Sequence, residues 1–308
     1  MTKQTGYTLL LTLTALIWGL AFVAQSMGTG VGAFTFLACR SWIALLFLGP
    51  LVPVFDAVRR KKGQPCGRPA SKAGKKMLYL GGLACGTALC AASAVQQAAL
   101  MVDPSTAKAG FITAMYVVLV PVFGAFLGRR CAPQVWFCVL VSVAGLYLLC
   151  MKGGFGSIGR ADWLLLAGAV LFSIQILLID YVSPQVDGVR LSCIQFFVVA
   201  VLSTVGMAAF EQPTWSAILA NAAPILYCGI FSSGVAYTLQ IISQKELAPA
   251  VASIVMCMES VFGALGGWLI LGQRLTLREG LGCGLIFVAV VLAQLPLRRL
   301  FHRAENAA

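Results

Sequence analysis

The sequence predicts an all-α membrane protein of ten transmembrane helices, arranged as two inverted five-helix repeats. Three observations predict it. The chain of 308 residues is 60% hydrophobic and only 10% charged, with a mean hydropathy of +0.92. A soluble domain carries about 25% charged residues, so a soluble core of this size is excluded. Apolar windows near the ~20 residues that a bilayer demands recur along the whole chain. No short-period alternation suited to a barrel is present, and lipid requires each span to satisfy its own backbone, so the spans are helices. Finally, Val122-Phe123-Gly124-Ala125 recurs as Val261-Phe262-Gly263-Ala264, and Leu127-Gly128-Arg129-Arg130 recurs as Leu271-Gly272-Gln273-Arg274, with five more residues between the blocks of the second copy. Two halves with an odd number of spans each must sit upside down relative to one another.

The spans are expected at 7–25, 32–54, 77–98, 104–128, 134–151, 162–181, 191–210, 215–241, 249–271 and 279–296. Residues 1–152 form the first repeat and 153–308 the second. Asp103-Pro104 supplies only a tight turn between the third and fourth spans. The longest polar stretch, roughly 56–76, reads as a basic loop. Lys3 precedes an apolar run, as in a signal peptide, but the run is long and no A-x-A pattern follows, so the segment is expected to be retained.

The net charge of +12 is first an orientation signal. With ten spans both termini share one side. That side collects Lys3, Arg59, Arg60, Lys61, Lys62, Arg68, Lys72, Lys75, Lys76, Arg129, Arg130, Arg190, Lys245, Arg298, Arg299 and Arg303; the other holds Lys152, Arg160, Arg274 and Arg278. The positive-inside rule then places both termini in the cytoplasm, in a cell (inner) membrane. The basic cluster 59–76 has no aromatic platform, and short basic loops beside spans are routine, so no nucleic-acid partner is expected.

Of eleven cysteines, nine lie within spans and none forms a C-x-x-C pair; they read as small packing residues. The only histidine, His302, lies in the tail, which excludes a histidine-dependent metal site or triad. No P-loop is present and no cofactor is expected.

Several short motifs resemble one family. Trp18-Gly19 closes a first span that opens on Leu11 to Leu16, and Arg40 stands inside the second span. Ala109-Gly110-Phe111-Ile112-Thr113 leads into Val118-Leu119-Val120-Pro121-Val122-Phe123, and Met258-Glu259-Ser260-Val261-Phe262 ends in Leu271-Gly272. Over essentially its whole length the chain resembles the EamA-type transporters of the drug/metabolite transporter superfamily. The resemblance implies two inverted five-helix repeats around a central cavity, with the fifth and tenth spans peripheral. It also implies movement of small metabolites, often amino acids or related compounds, and often outward. The family pattern shows an acidic residue after Leu-Gly; Arg129 and Gln273 stand there instead, so no role of that acid transfers.

Charged side chains at mid-bilayer are costly, about 2.5–3.5 kcal/mol on insertion scales, so they mark a cavity or a partner. Glu259 is the only acid placed so deep. A carboxyl in so apolar a setting suits a group that binds and releases a proton, or one hydrogen-bonded structurally to a neighbouring helix. Arg40 suits a substrate carboxylate, and equally snorkelling or pairing with Glu259. Lys108, near a span end, suits snorkelling or substrate contact. Gln96, Gln175 and Gln240 are candidate pathway residues, as are Trp18, Tyr116 and Tyr237, aromatic walls with a polar handle; interhelical hydrogen bonding and interface anchoring are the rival roles. Gln97 and Gln195 stand beside them. Pro121 is expected to kink the fourth span. Gly82-x-x-x-Gly86, Gly263-x-x-x-Gly267 and Gly280-x-x-x-Gly284 are expected to serve packing alone.

The reading is a secondary transporter of a small-molecule substrate in the lipid bilayer, working by alternating access, with Glu259 the group that would carry any coupled proton. The alternatives are a non-transporting sensor or structural membrane protein and an intramembrane enzyme, the latter opposed by the absence of convergent acid–base groups. The oligomeric state is not written in the sequence.

Overall fold

Apolar windows of span length permit little besides helix, and every regular element among the described residues is helical. The computed structural model describes residues 3–63, 65–69, 71–103, 106–129, 131–150, 159–272 and 276–294. In the first half, α1 (Lys3–Met27), α2 (Ala33–Lys61) and α3 (Lys72–Val102) are long and continuous. They are followed by α4 (Thr106–Thr113), α5 (Tyr116–Phe126) and α6 (Pro133–Cys150). The second half holds α7 (Arg160–Val182), α8 (Gly188–Phe210), α9 (Trp215–Ala220) and α10 (Ala222–Tyr227). A π-helical segment, Cys228–Ala236, leads into α11 (Tyr237–Gln244), then α12 (Pro249–Met256), α13 (Met258–Leu271) and α14 (Leu277–Gln294). Among the described residues, eight helical stretches are long and apolar enough to cross a membrane, and Pro133–Leu149 is a shorter apolar helix. Leu46, Leu140, Val205 and Leu269 lie exposed on the outside, as lipid-facing side chains do.

Three expected spans are interrupted rather than single. The fourth is α4 and α5 with a turn at Ala114–Met115, the ninth is α12 and α13 with a turn at Cys257, and the eighth breaks at Asn221 and widens into the π segment. Pro121 lies inside α5, which continues through it.

The expected basic loop 56–76 is corrected at both ends. α2 runs on to Lys61 because Asp56 is buried and paired with Arg190 of α8. α3 begins at Lys72, where the Ser71 hydroxyl caps the helix by accepting from the Gly74 N–H at 3.0 Å.

The packing repeats between the halves. α3 packs on α7, and correspondingly the π segment and α11 pack on α1. α3 also packs on α8, as the π segment packs on α2; α4 and α5 contact α7, as α12 and α13 contact α1. The pairs α2·α8 and α6·α14 correspond to themselves. Glycines permit the closest crossings. A Cβ on Gly282 would stand 2.6 Å from the Gly145 carbonyl oxygen where α6 meets α14, and one on Gly86 would stand 2.7 Å from the Gln195 carbonyl oxygen of α8. A Cβ on Gly280 or Gly284 would meet no atom within 4 Å among the described residues, so that pair of the expected packing motifs makes no close helix crossing there.

α2 and α8 are fastened at both ends. At the end bearing the basic residues, Arg59 pairs with Asp187 at 2.6 Å and Arg190 pairs with Asp56. Asp187 also caps α8 by accepting from the Arg190 N–H at 3.0 Å. At the opposite end Glu211, just past α8, accepts hydrogen bonds from the backbone N–H groups of Phe34 (2.8 Å) and Thr35 (2.7 Å) and from the Thr35 hydroxyl (2.6 Å). A carboxylate on the free N–H groups of a helix start is favourable by both hydrogen bonding and dipole. Between these fastened ends the bundle encloses a polar interior.

Candidate functional site

The interrupted spans set the centre of that interior. At the α4–α5 turn the backbone tightens: the Val117 N–H donates to the Ala114 carbonyl and the Val118 N–H to the Met115 carbonyl, both at 3.0 Å. At the α12–α13 turn the Ser260 N–H donates to the Cys257 carbonyl at 3.1 Å. The two turns face each other, with the Cys257 thiol 3.9 Å from the Ala114 carbonyl oxygen and the Ser260 hydroxyl donating to the Gly110 carbonyl at 3.4 Å. Each places a polar side chain on the first residues of the helix that follows. Tyr116 opens α5, Glu259 is the second residue of α13, and the Tyr116 hydroxyl donates to Glu259 Oε1 at 2.8 Å. Glu259 is 4% exposed. α1 passes directly over this point because Gly19 has no side chain: a Cβ there would lie 2.6 Å from the Glu259 carbonyl oxygen and 2.7 Å from the Gly263 nitrogen.

The second charged group is Arg40 on α2, also buried. Its Nε donates to the Ser233 hydroxyl at 2.9 Å, Nη2 to the Ser232 hydroxyl at 3.2 Å and Nη1 to Gln25 Oε1 at 3.5 Å. Both serines come from the π segment, whose widened turn also presents the Ser232 carbonyl to Trp18 Nε1 at 3.4 Å and the Ala236 carbonyl to the Thr14 hydroxyl at 3.3 Å. Widened turns of this kind recur at functional sites. Arg59 pairs with Asp187, Arg129 with Asp180 and Arg190 with Asp56, all at the basic end, and Arg40 and Glu259 are not paired with each other. Of the roles the sequence left open for Arg40, the structure therefore places it inside the bundle with neutral partners.

Arg40 and Glu259 line one cavity inside the bundle. Gln96, Gln175, Gln240, Tyr116, Tyr237 and Trp18 line the same space. Gln96 Nε2 donates to the Thr113 hydroxyl at 3.2 Å, and Gln175 Nε2 donates to Gln195 Oε1 of α8 at 3.4 Å. Trp18 and Tyr237 pack with ring centroids 4.7 Å apart, and Phe196 meets Tyr237 edge-on at 5.5 Å. The side chain of Lys108 lies outside the described residues. Pro121 is not among the lining residues.

Sequence reasoning missed Gln25, Thr113, Ser232, Phe22 and Phe172 in the lining. Gln25 stands at the last position of an expected span. Ser232-Ser233-Gly234 is a polar notch in an apolar run, a signal that was present but faint. The arrangement combines one guanidinium, one carboxyl held by a phenol, several amides and an aromatic wall. It can hold a small polar solute through charge and hydrogen bonds while stacking an apolar portion. Among the described residues no group of three His, Cys, Asp or Glu side chains is placed to hold a metal ion.

Comparison with known proteins gives the family. The EamA-like transporter family matches this chain twice, over residues 5–151 and again over residues 159–295. The chain belongs to the EamA-like transporter family. It is thus a multi-pass membrane protein of the drug/metabolite transporter superfamily, with two EamA repeats. Among curated proteins it is similar to one from Archaeoglobus fulgidus that bears the description uncharacterized transporter, 28% identical over 287 residues, covering 92% of this chain and 84% of that protein. Its fold is that of a solved crystal structure at 21% identity, with a TM-score of 0.75 over 96% of this EamA-like chain and 99% of the other.

Proposed function

We propose that this protein is a secondary transporter that exports small polar metabolites, such as amino acids or related compounds, by alternating access around the Arg40–Glu259 cavity. One observation carries the reading: polar and aromatic side chains from both halves of the chain converge on one pocket beside two interrupted spans. Interrupted helices at mid-membrane are where repeat-built transporters hold their substrates. Glu259 is the proton-linked group in this reading. It is buried, lines the cavity and is hydrogen-bonded to one neutral phenol instead of locked to a cation. Arg40 offers a guanidinium bound to neutral groups, which suits a substrate carboxylate.

The reading includes ten spans, two inverted repeats divided near residue 152, residence in the cell membrane and both termini in the cytoplasm. Its support is the basic asymmetry of the sequence and the correspondence of packing partners between the halves. Outward transport rests on the family resemblance. The deciding experiment is uptake of a metabolite panel into proteoliposomes, with and without an imposed pH gradient. Saturable flux of at least one amino-acid-like solute is expected, accelerated by the gradient; no flux of any panel member overturns the reading. For topology, an impermeant thiol reagent should leave Cys66 unmodified in intact cells and modify it in opened ones, on a background lacking other reactive cysteines.

A further inference from the structure

Beyond the cavity, polar side chains concentrate where α7, α8 and α11 meet. Gln195 of α8 accepts from Gln175, and Gln244 Nε2 of α11 donates to the Ile176 carbonyl at 3.3 Å. Gln240 lies one turn before Gln244 and lines the cavity beside Gln175. The Ser192 and Thr238 hydroxyls join α8 to α11 at 2.7 Å. Gln195, Gln240 and Gln244 are each at most 1% exposed, yet Gln195 Nε2, Gln240 Oε1 and Gln244 Oε1 have no hydrogen-bond partner in the protein. Buried amides are almost always satisfied. The free groups include both a donor and acceptors, so they suit water and solute groups that donate and accept rather than a bare ion.

The other half carries a related arrangement. Arg40 is the eighth residue of α2, and Gln195 is the eighth residue of α8. Arg40 reaches Gln25 on α1 as Gln195 reaches Gln175 on α7. Gln97 on α3 donates to the Gln25 carbonyl at 3.5 Å and leaves its own Oε1 unpartnered, as Gln240 does on α11. One cluster is built around a cation and the other is neutral.

We propose that Gln195, Gln240 and Gln244, together with Gln175, form a second, uncharged binding station that extends the cavity toward the basic end between α7, α8 and α11. It takes water and the hydroxyl or amide groups of a passing solute. Gln195 lies five residues beyond Arg190 and Gln244 directly before Lys245, so the station leads to the basic face. The solute's passage rests on the transport reading; hydration does not.

The test is thiol accessibility on a background with the native cysteines replaced. Gln244→Cys and Gln195→Cys are compared with Ile241→Cys, a position fully buried in an apolar cluster with Leu78 and Ile179. Inside-out vesicles are treated with a small methanethiosulfonate reagent and modification is read by mass. Labelling of the two glutamine positions at least tenfold faster than Ile241→Cys is expected. Rates equal to the control, or labelling solely from the face opposite Cys66, overturn the proposal. Only folded, monodisperse protein is scored, and Gln195→Cys decides alone where Gln244→Cys does not fold. Labelling needs no substrate. A dry cluster therefore sinks this station and leaves transport standing, whereas a wet cluster in a protein that moves no metabolite sinks the transport reading alone.

Discussion

The Tyr116 hydroxyl, at the start of α5, donates a 2.8 Å hydrogen bond to the Glu259 carboxylate at the start of α13. The bond joins the two interrupted spans at the cavity, and it couples the first half of the chain to the second. A group that gains or loses a proton here changes that coupling directly.

Glu259→Gln is expected to abolish transport driven by a pH gradient while leaving part of substrate exchange, since exchange need not release the proton. Because Arg40 is held by Ser232, Ser233 and Gln25, the variant leaves no orphaned cation, and the amount of folded protein should stay near normal. Tyr116→Phe should retain gradient-driven flux at a reduced rate and lose about 1–3 kcal/mol of stability, the cost of leaving a buried acceptor without its donor. Proteoliposome flux measured beside monodisperse yield checks both. Unchanged gradient-driven flux in Glu259→Gln would falsify the coupling role.

Arg40→Lys keeps the charge but cannot reproduce a planar fork that donates to two serines and a glutamine. Substrates bearing a carboxylate should bind on the order of tenfold more weakly, about 1.4 kcal/mol. Their esters or amides should be little affected. Competition of labelled-substrate uptake by acid and amide analogues separates the two.

Gly19 and Gly280 make a matched pair of glycine-to-alanine tests. A methyl at Gly19 meets backbone atoms of α13 at 2.6–2.7 Å, and overpacking of that kind costs about 1–3 kcal/mol. A methyl at Gly280 meets nothing within 4 Å, and replacing a helical glycine with alanine there should stabilise by about 0.5–1 kcal/mol. Thermal midpoints in detergent should therefore move in opposite directions. Flux should fall in Gly19→Ala alone, because the displaced helix carries Glu259.

The crossed ion pairs of α2 and α8 predict rescue by exchange. Asp56→Arg alone places a cation beside Arg190 and should lower the thermal midpoint. Asp56→Arg combined with Arg190→Asp should recover much of the loss. A double variant no better than the single one would show that the pair adds nothing measurable to the fastening.

The spans were readable because a bilayer imposes one length and one chemistry on every segment. The cavity was readable for a related reason: an Arg, a Glu or an amide in an apolar run stands out, and Arg40, Glu259, Gln96, Gln175 and Gln240 all face one space. What the sequence obscured was backbone geometry. Pro121 drew the expected kink, yet the turn fell at Ala114–Met115, where no residue type announces it. The π segment that delivers Ser232 and Ser233 to Arg40 is likewise a choice among hydrogen-bond partners along the helix, with no distinctive composition. The C-terminal end of α2 and the start of α3 read as loop because their charges look solvated in sequence, whereas Asp56 is buried by a partner more than a hundred residues away.

Arg40 and Gln195 occupy the same position in equivalent helices of the two halves. A dimer of two identical five-helix chains would be bound to carry the same side chain at both places, and so either two cations or none. Joining the halves in one polypeptide lifts that obligation. Each copy mutates separately, and a fold with internal symmetry acquires a chemically polarised interior, with its cation assigned to one half.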